Sequence, residues 1–198
     1  ASYDYAADAR GFGWGFAGEW YQDNWVLRFG RMTGPKEPNG LPVDLALGKH
    51  YGDQVEIERG HMLADQPGKL RVLAWRNRAQ VASFNDATQW LQSHAGVQTT
   101  PQALVDVRGG EKIKYGLGVN IEQAINPSLG FFLRAMKADG KTETYAFTEA
   151  DGSLSTGLVF RGGLWGRADD TVGVAFMHNT LSRDRRDFLA AGGMSFFL

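Results

Sequence analysis

The 198-residue sequence contains no cysteine. That one absence removes disulfide frameworks, thiolate metal sites and cysteine nucleophiles together, and it is compatible with an oxidising compartment. No apolar run approaches the roughly 18 residues that a spanning helix needs, so a helical membrane protein is excluded. An apolar h-region is missing at the N-terminus, and the chain reads as mature, trimmed or cytosolic. Neither sign of charge is in excess. The formal net charge is −1, so no nucleic-acid or polyanion partner is expected. Catalytic signatures are missing in the same way: there is no GxSxG, no P-loop and no GxGxxG between a strand and a helix. The four histidines (His50, His61, His94, His178) lack HExxH or other metal spacing, and no metal or cofactor is expected. Asp169 and Asp170 are a weak candidate for a hydrolytic site at a barrel rim, and solvation of a loop explains them as well. The chain is read as non-enzymatic.

What the sequence does hold is 26 glycines together with 12 Phe, 6 Trp and 6 Tyr. Twisted, closely paired β-sheet uses both kinds of residue, whereas a soluble α/β domain rarely carries so much of each. Composition alone fits a glycine-rich β-sandwich as well as a barrel.

Periodicity separates them. In 112–122, Ile113, Tyr115, Leu117, Val119 and Ile121 alternate with Lys112, Lys114, Gly116, Gly118, Asn120 and Glu122. Such period-two alternation means a strand with one apolar and one polar face. Similar patterns cover 11–20, 25–32, 129–136, 153–161 and 171–179, and weaker ones cover 54–63, 69–78, 141–148 and 188–197. In 69–78, Leu70, Val72 and Ala74 share a face with Arg76 and Arg78, which predicts a bulge or an early exit from the membrane. The total is about ten strands, each near the ~9–11 residues that cross a bilayer when tilted. Connections alternate between short (21–24, 64–68, 125–128) and long (33–53, 79–110), and GGLWGRADD is placed with the long ones. Outer-membrane barrels are built this way, with tight periplasmic turns and long extracellular loops. Trp20, Tyr21 and Trp25 flank one short turn, where an interfacial aromatic girdle belongs. Residues 1–198 therefore read as one domain, an all-β transmembrane antiparallel β-barrel segment. The stretch 79–110 is its long extracellular loop, with a short helix around 86–94 capped by Asp86.

The stretches DYAADARGFGWGFAGEWY, LRFGRMTGPKEPNG, KLRVLAWRNRA, TETYAFTEADGSLSTGLVFRG and LWGRADDTVGVAFMHNTLSRDRRDFLAAGGMSFFL closely resemble carbohydrate-selective outer-membrane porins of the OprB type. WGRADDTVGVAF and FLAAGG are the most specific parts. The resemblance implies a Gram-negative outer-membrane barrel of about sixteen strands that passes glucose and other small carbohydrates by diffusion. At roughly twenty residues per strand and connection, such a barrel needs on the order of 320 residues. The chain is accordingly expected to be an incomplete part of that barrel; a closed ten-stranded barrel is the lesser alternative.

On a lipid-exposed barrel the polar face lines the lumen. That rule places Glu19, Arg28, Lys112, Lys114, Asn120, Glu122, Arg134 and Arg161 inside, with Glu56, Glu58 and Arg71 as additions. Phe132, and Trp75 with it, would serve as aromatic platforms for a sugar. Each charge has a second reading, because opposed Arg and Glu side chains also brace a barrel wall. The apolar Leu41, Val43, Leu45 and Leu47 suggest that the first long loop folds inward to narrow the pore. The expected partners are small carbohydrates, outer-membrane lipid and lipopolysaccharide. A non-transport barrel (adhesin, receptor or wall) and a soluble β-rich binding module remain the alternatives.

Overall fold

The structure, a computed structural model, describes residues 13–38, 40, 44–94, 102–144 and 149–194. Its strands are β1 (Gly15–Gln22), β2 (Trp25–Thr33), β3 (Tyr51–Leu63), β4 (Gln66–Ala79), β5 (Lys112–Asn126), β6 (Leu129–Ala138), β7 (Gly152–Arg161) and β8 (Thr171–Thr180). They form a single eight-stranded antiparallel sheet in the order β1 to β8, each strand pairing with the one before it. Among the described residues, β1 and β8 are the open edges of this sheet. None of the described helices is long and apolar enough to cross a membrane.

Register keeps the alternation coherent from strand to strand. Leu27, Ile57, Val72, Val119, Ala135 and Leu154 fall in one row across β2 to β7. Partners in a row point to the same side, so the apolar residues form one face and the polar residues the other. The apolar face stands uncovered: Trp20 is 60%, Leu117 61% and Val174 65% exposed. Water disfavours so large an apolar surface, whereas hydrocarbon accommodates it. β3, β4 and β5 have 13, 14 and 15 residues, more than the ~9–11 that span a bilayer. Arg76 and Arg78 lie at the long-connection end of β4, still paired with β3 and β5. β4 keeps register with both neighbours, and the register break falls in β5 between Ala124 and Asn126.

At one end of the sheet the turns are short: 23–24, 64–65 and 127–128. Ala64 and Asp65 both have positive φ, 50° and 57°, as a two-residue type I′ hairpin turn requires. At the other end are 34–50, 80–111, 139–151 and the segment after β8. GGLWGRADD does not belong with these long connections. The described residues 141–144 form no strand of the sheet; Thr142 instead makes an isolated bridge to Ser83, and Glu143 N donates to Ala82 O at 3.0 Å. With that strand gone, β6 pairs directly with β7, and 162–170 falls at the short-turn end. Residues 145–148 lie outside the described ones.

The strand expected over 188–197 is also corrected. Arg183–Ala190 form a helix, and 195–197 lie outside the described residues. This helix, α3, begins at Ser182, whose Oγ accepts from Arg185 N at 3.1 Å, and it buries Arg185 and Phe188 one turn apart. In the 80–111 connection, α1 (Phe84–Ser93) and α2 (Gln102–Asp106) precede it. The cap of α1 is Ser83, not Asp86, which sits in the first turn and donates its backbone N–H to Ser83 Oγ. Phe84, Ala87 and Leu91 recur along one helical stripe and pack with Ala103 and Phe188. The Phe84 and Phe188 rings are 5.5 Å apart.

A charged face and its cover: the candidate functional site

The register puts every sequence-derived candidate on the same face of the sheet, opposite the apolar one. Glu19, Arg28 and Glu56 share one row across β1, β2 and β3, while Glu58, Arg71, Asn120 and Arg134 share the next across β3 to β6. Glu122 and Phe132 are paired on β5 and β6, and Arg161 and the two lysines keep the same parity.

Within this face, charges of opposite sign alternate laterally. Arg28 NH1 donates to Glu56 at 2.8 Å and to Glu58 at 2.9 Å, and its Nε lies 3.5 Å from Glu19. Glu58 also accepts from Arg71 Nε at 2.7 Å and pairs with Lys69 Nζ at 3.0 Å. Arg71 NH1 continues to Glu122 at 2.8 Å, and Arg134 lies 4.0 Å beyond. The guanidinium of Arg134 stands 5.2 Å over the Phe132 ring. Gly157, paired with Phe132, leaves room for that ring, because a Cβ there would approach Phe132 Cε1 to 2.7 Å. Among the described residues the buried Oδ1 of Asn120 has no hydrogen-bond partner, while its Nδ2 donates to Glu122 at 3.4 Å. The result is a continuous band of donors and acceptors across β1 to β6, with an aromatic surface at one end.

Three candidates do not join the band. Lys112 Nζ donates to the carbonyls of Val81 at 2.9 Å and Gly109 at 3.2 Å. Lys114 is 3% exposed and donates to Thr142 O at 3.4 Å. Both lysines therefore fasten connections over the face. Arg161 stands apart near the short-turn end. Trp75 is not an exposed platform: it is buried with Met136 and Ala138, and a Cβ at Gly116 would stand 2.6 Å from its ring. The signal for Lys69 was available, since it has the parity of Arg71.

The long-connection end of the charged face is covered. Arg108 donates to both carboxylate oxygens of Glu143, at 2.6 and 2.9 Å, and that hydrogen bonding raises its pKa above the ordinary arginine value. Glu143 Oε1 also accepts from Ala82 N at 2.8 Å. Arg185 ties α3 to Asp151 and to Glu149, the latter at 2.5 Å. Burial raises the Asp139 carboxyl above its usual range, with Lys114 and Lys141 acting the other way. The first long loop divides: its start packs on the 80–111 connection, where Lys36 O accepts from Gln80 N at 2.8 Å and Glu37 lies 3.8 Å from Arg108. Among its described residues, Leu45 is 64% exposed, its carbonyl accepts from Trp14 Nε1 at 3.1 Å, and Gly48 O accepts from Arg78. Both donors continue the apolar face, so 45–48 lie on that side, while the cover comes from 80–111, 139–151 and α3, with Lys36 and Glu37 packed against it. Leu41 and Val43 lie outside the described residues.

No significant match is found among curated proteins. The fold resembles the high-pH structure of Pseudomonas putida OprB with a TM-score of 0.67 at 16% identity, over 90% of this chain and 42% of that one. The chain thus spans less than half the length of that structure. The family described as carbohydrate-selective porin, OprB family, matches residues 2–196. With one uncovered apolar face and one face banded with charge, the chain belongs to that family.

Proposed function

We propose that the chain forms the wall of a Gram-negative outer-membrane pore that passes glucose and other small carbohydrates by facilitated diffusion. The observation that carries this reading is the charged band from Glu19 through Arg28, Glu58, Arg71 and Glu122 to Arg134, set back to back with an uncovered apolar face. A sugar offers hydroxyls that donate and accept, plus apolar C–H faces. Arginine forks supply fixed donors, glutamates supply acceptors, and Phe132 supplies a platform. The hydrogen bonds are shared with neighbours inside the band, which keeps each sugar contact weak enough for release. Long connections point outward in this reading, so α1 and α2 sit at the extracellular mouth, and the aromatic-flanked short turns face the periplasm. Lipid, including lipopolysaccharide, contacts the apolar face.

The test is single-channel conductance of the full-length protein, with block by glucose, maltose and a non-sugar solute of similar size. Sugar-specific block supports the proposal. Absence of conductance points to a non-transport barrel, and equal block by all solutes removes carbohydrate selectivity.

A further inference from the structure

The apolar face changes character toward the long-connection end. Arg31 on β2 grips Asp53 on β3 through Nε at 2.6 Å and NH2 at 2.8 Å, and Arg76 on β4 reaches the same carboxylate through Nε at 2.9 Å. Two guanidiniums thus share one carboxylate, leaving positive charge in excess. Arg31 also stacks 4.0 Å over the Tyr51 ring, and half of the Arg76 side chain is exposed. Arg78 follows on the same face, with Glu111 only at 3.9 Å, and Lys137 on β6 stands in register with Leu117. Asp53 is the strand carboxylate against all of these cations.

Beside this cluster lies an apolar groove of about 580 Å³. Ala74 forms its floor, between the larger Val55 and Leu117 in the same row, and Phe16 and Phe29 line one side. Guanidinium clusters deep in hydrocarbon are unfavourable, so the arginines mark the level of the interface. An apolar groove headed by excess cationic forks matches an acyl chain with a phosphate at its head. A second copy of the chain fits less well, because two-fold pairing of this patch brings cations against cations.

We propose that this is a binding site for lipid A, the phosphorylated glycolipid of the outer leaflet. An acyl chain lies over Ala74, and a phosphate sits on Arg31 and Arg76. The choice of leaflet rests on the orientation proposed above; the phosphate and acyl-chain recognition does not.

The experiment is native mass spectrometry of the full-length protein in detergent, titrated with lipid A. The R31Q/R76Q pair should weaken lipid A binding by at least about tenfold, the equivalent of losing one charge-assisted hydrogen bond. A74F, which fills the groove and leaves the arginines in place, should weaken it as well, and R59Q at the opposite rim should not. Dephosphorylated lipid A should bind the wild type no better than lipid A binds R31Q/R76Q. Heat-modifiable migration verifies folding, and A74F decides the matter if the double variant misfolds. Wild-type affinity in A74F, or equally tight binding of phosphatidylglycerol, would overturn the proposal. So would a change of oligomeric state in A74F with lipid A binding intact. Failure of surface labelling at Gly109→Cys on intact cells would overturn the outer-leaflet assignment and the orientation, independently of the affinities measured in detergent.

Discussion

Arg185 and Asp151 form a fully buried bidentate pair: Nε and NH2 of the arginine meet the two carboxylate oxygens at 2.9 and 3.2 Å, with the residues 2% and 4% exposed. This pair holds α3 over the covered end of the charged face. Removing one partner of a buried pair leaves the other charge uncompensated, at about 3–5 kcal/mol. Arg185→Ala is therefore expected to detach α3 and to raise single-channel conductance of the full-length protein. Arg185→Lys should restore part of the wild-type value. Unchanged conductance in Arg185→Ala would show that α3 does not restrict the path.

Arg71 is the link between Glu58 and Glu122. In Arg71→Ala both carboxylates lose a cation, so reversal potentials in a salt gradient should move toward cation selectivity and sugar block should weaken. Arg134→Ala should do the same more mildly, because Arg134 is already 4.0 Å from Glu122. Wild-type selectivity in both variants would mean that these arginines only brace the wall.

Lys114 has a different expected phenotype. It lies beneath the cover, with Asp151 at 3.9 Å and Thr142 O at 3.4 Å. Lys114→Ala should lower the denaturant midpoint and increase gating noise while leaving sugar block near the wild-type value. A change in sugar block alone would return Lys114 to the permeation path.

Asp139 gives the pH dependence. Burial raises its folded-state pKa above the unfolded value of about 3.9, so the ionised form carries a stability cost. That cost is fully present above the raised pKa and vanishes as pH falls below the unfolded one. Asp139→Asn keeps an acceptor for Lys141 N and should be more stable than wild type at pH 8, with the difference closing on acidification. Denaturant midpoints across this pH range read the effect; a difference that grows toward acid would contradict it.

The turn at Ala64 and Asp65 places a Cβ-bearing residue at φ 50°. Left-handed backbone costs an L-residue roughly 1–2 kcal/mol, which glycine avoids. Ala64→Gly should accordingly raise stability by up to about 1 kcal/mol, after the entropy of the freer unfolded chain is deducted. Unfolding equilibria in lipid or detergent measure it.

Orientation can be read directly. The sequence has no cysteine, and a Cβ at Gly109 or Gly163 would meet nothing within 4 Å among the described residues. Gly109→Cys lies in the 80–111 connection and Gly163→Cys at the short-turn end. A membrane-impermeant thiol reagent on intact cells should label the first and spare the second.

The sheet was legible because period-two alternation is a local signal. Ile113 to Ile121 define a face with no knowledge of their neighbours, and parity correctly grouped Glu19, Arg28, Arg71 and Arg134 on one side. Parity does not report depth. Lys114 has the right face but lies beneath a cover whose contacts come from distant parts of the chain, and Trp75 is buried against Met136 and Ala138 of β6. Arg185 was invisible for the same reason, since its carboxylate partners lie in the connection between β6 and β7. The misplacement of GGLWGRADD came from the apparent alternation after Lys141, where the backbone of Glu143 pairs with Ala82 and not with a neighbouring strand. One strand too many reverses the end assigned to every later connection.

The contact between Phe84 and Phe188 also has a consequence for assembly order. Each hairpin joins neighbouring segments of sequence and can zip as soon as its own two strands are present, whereas this contact waits for everything from β5 to β8. The cover is thus expected to close last, after the wall has been laid down, so an insertion intermediate would have an unobstructed lumen.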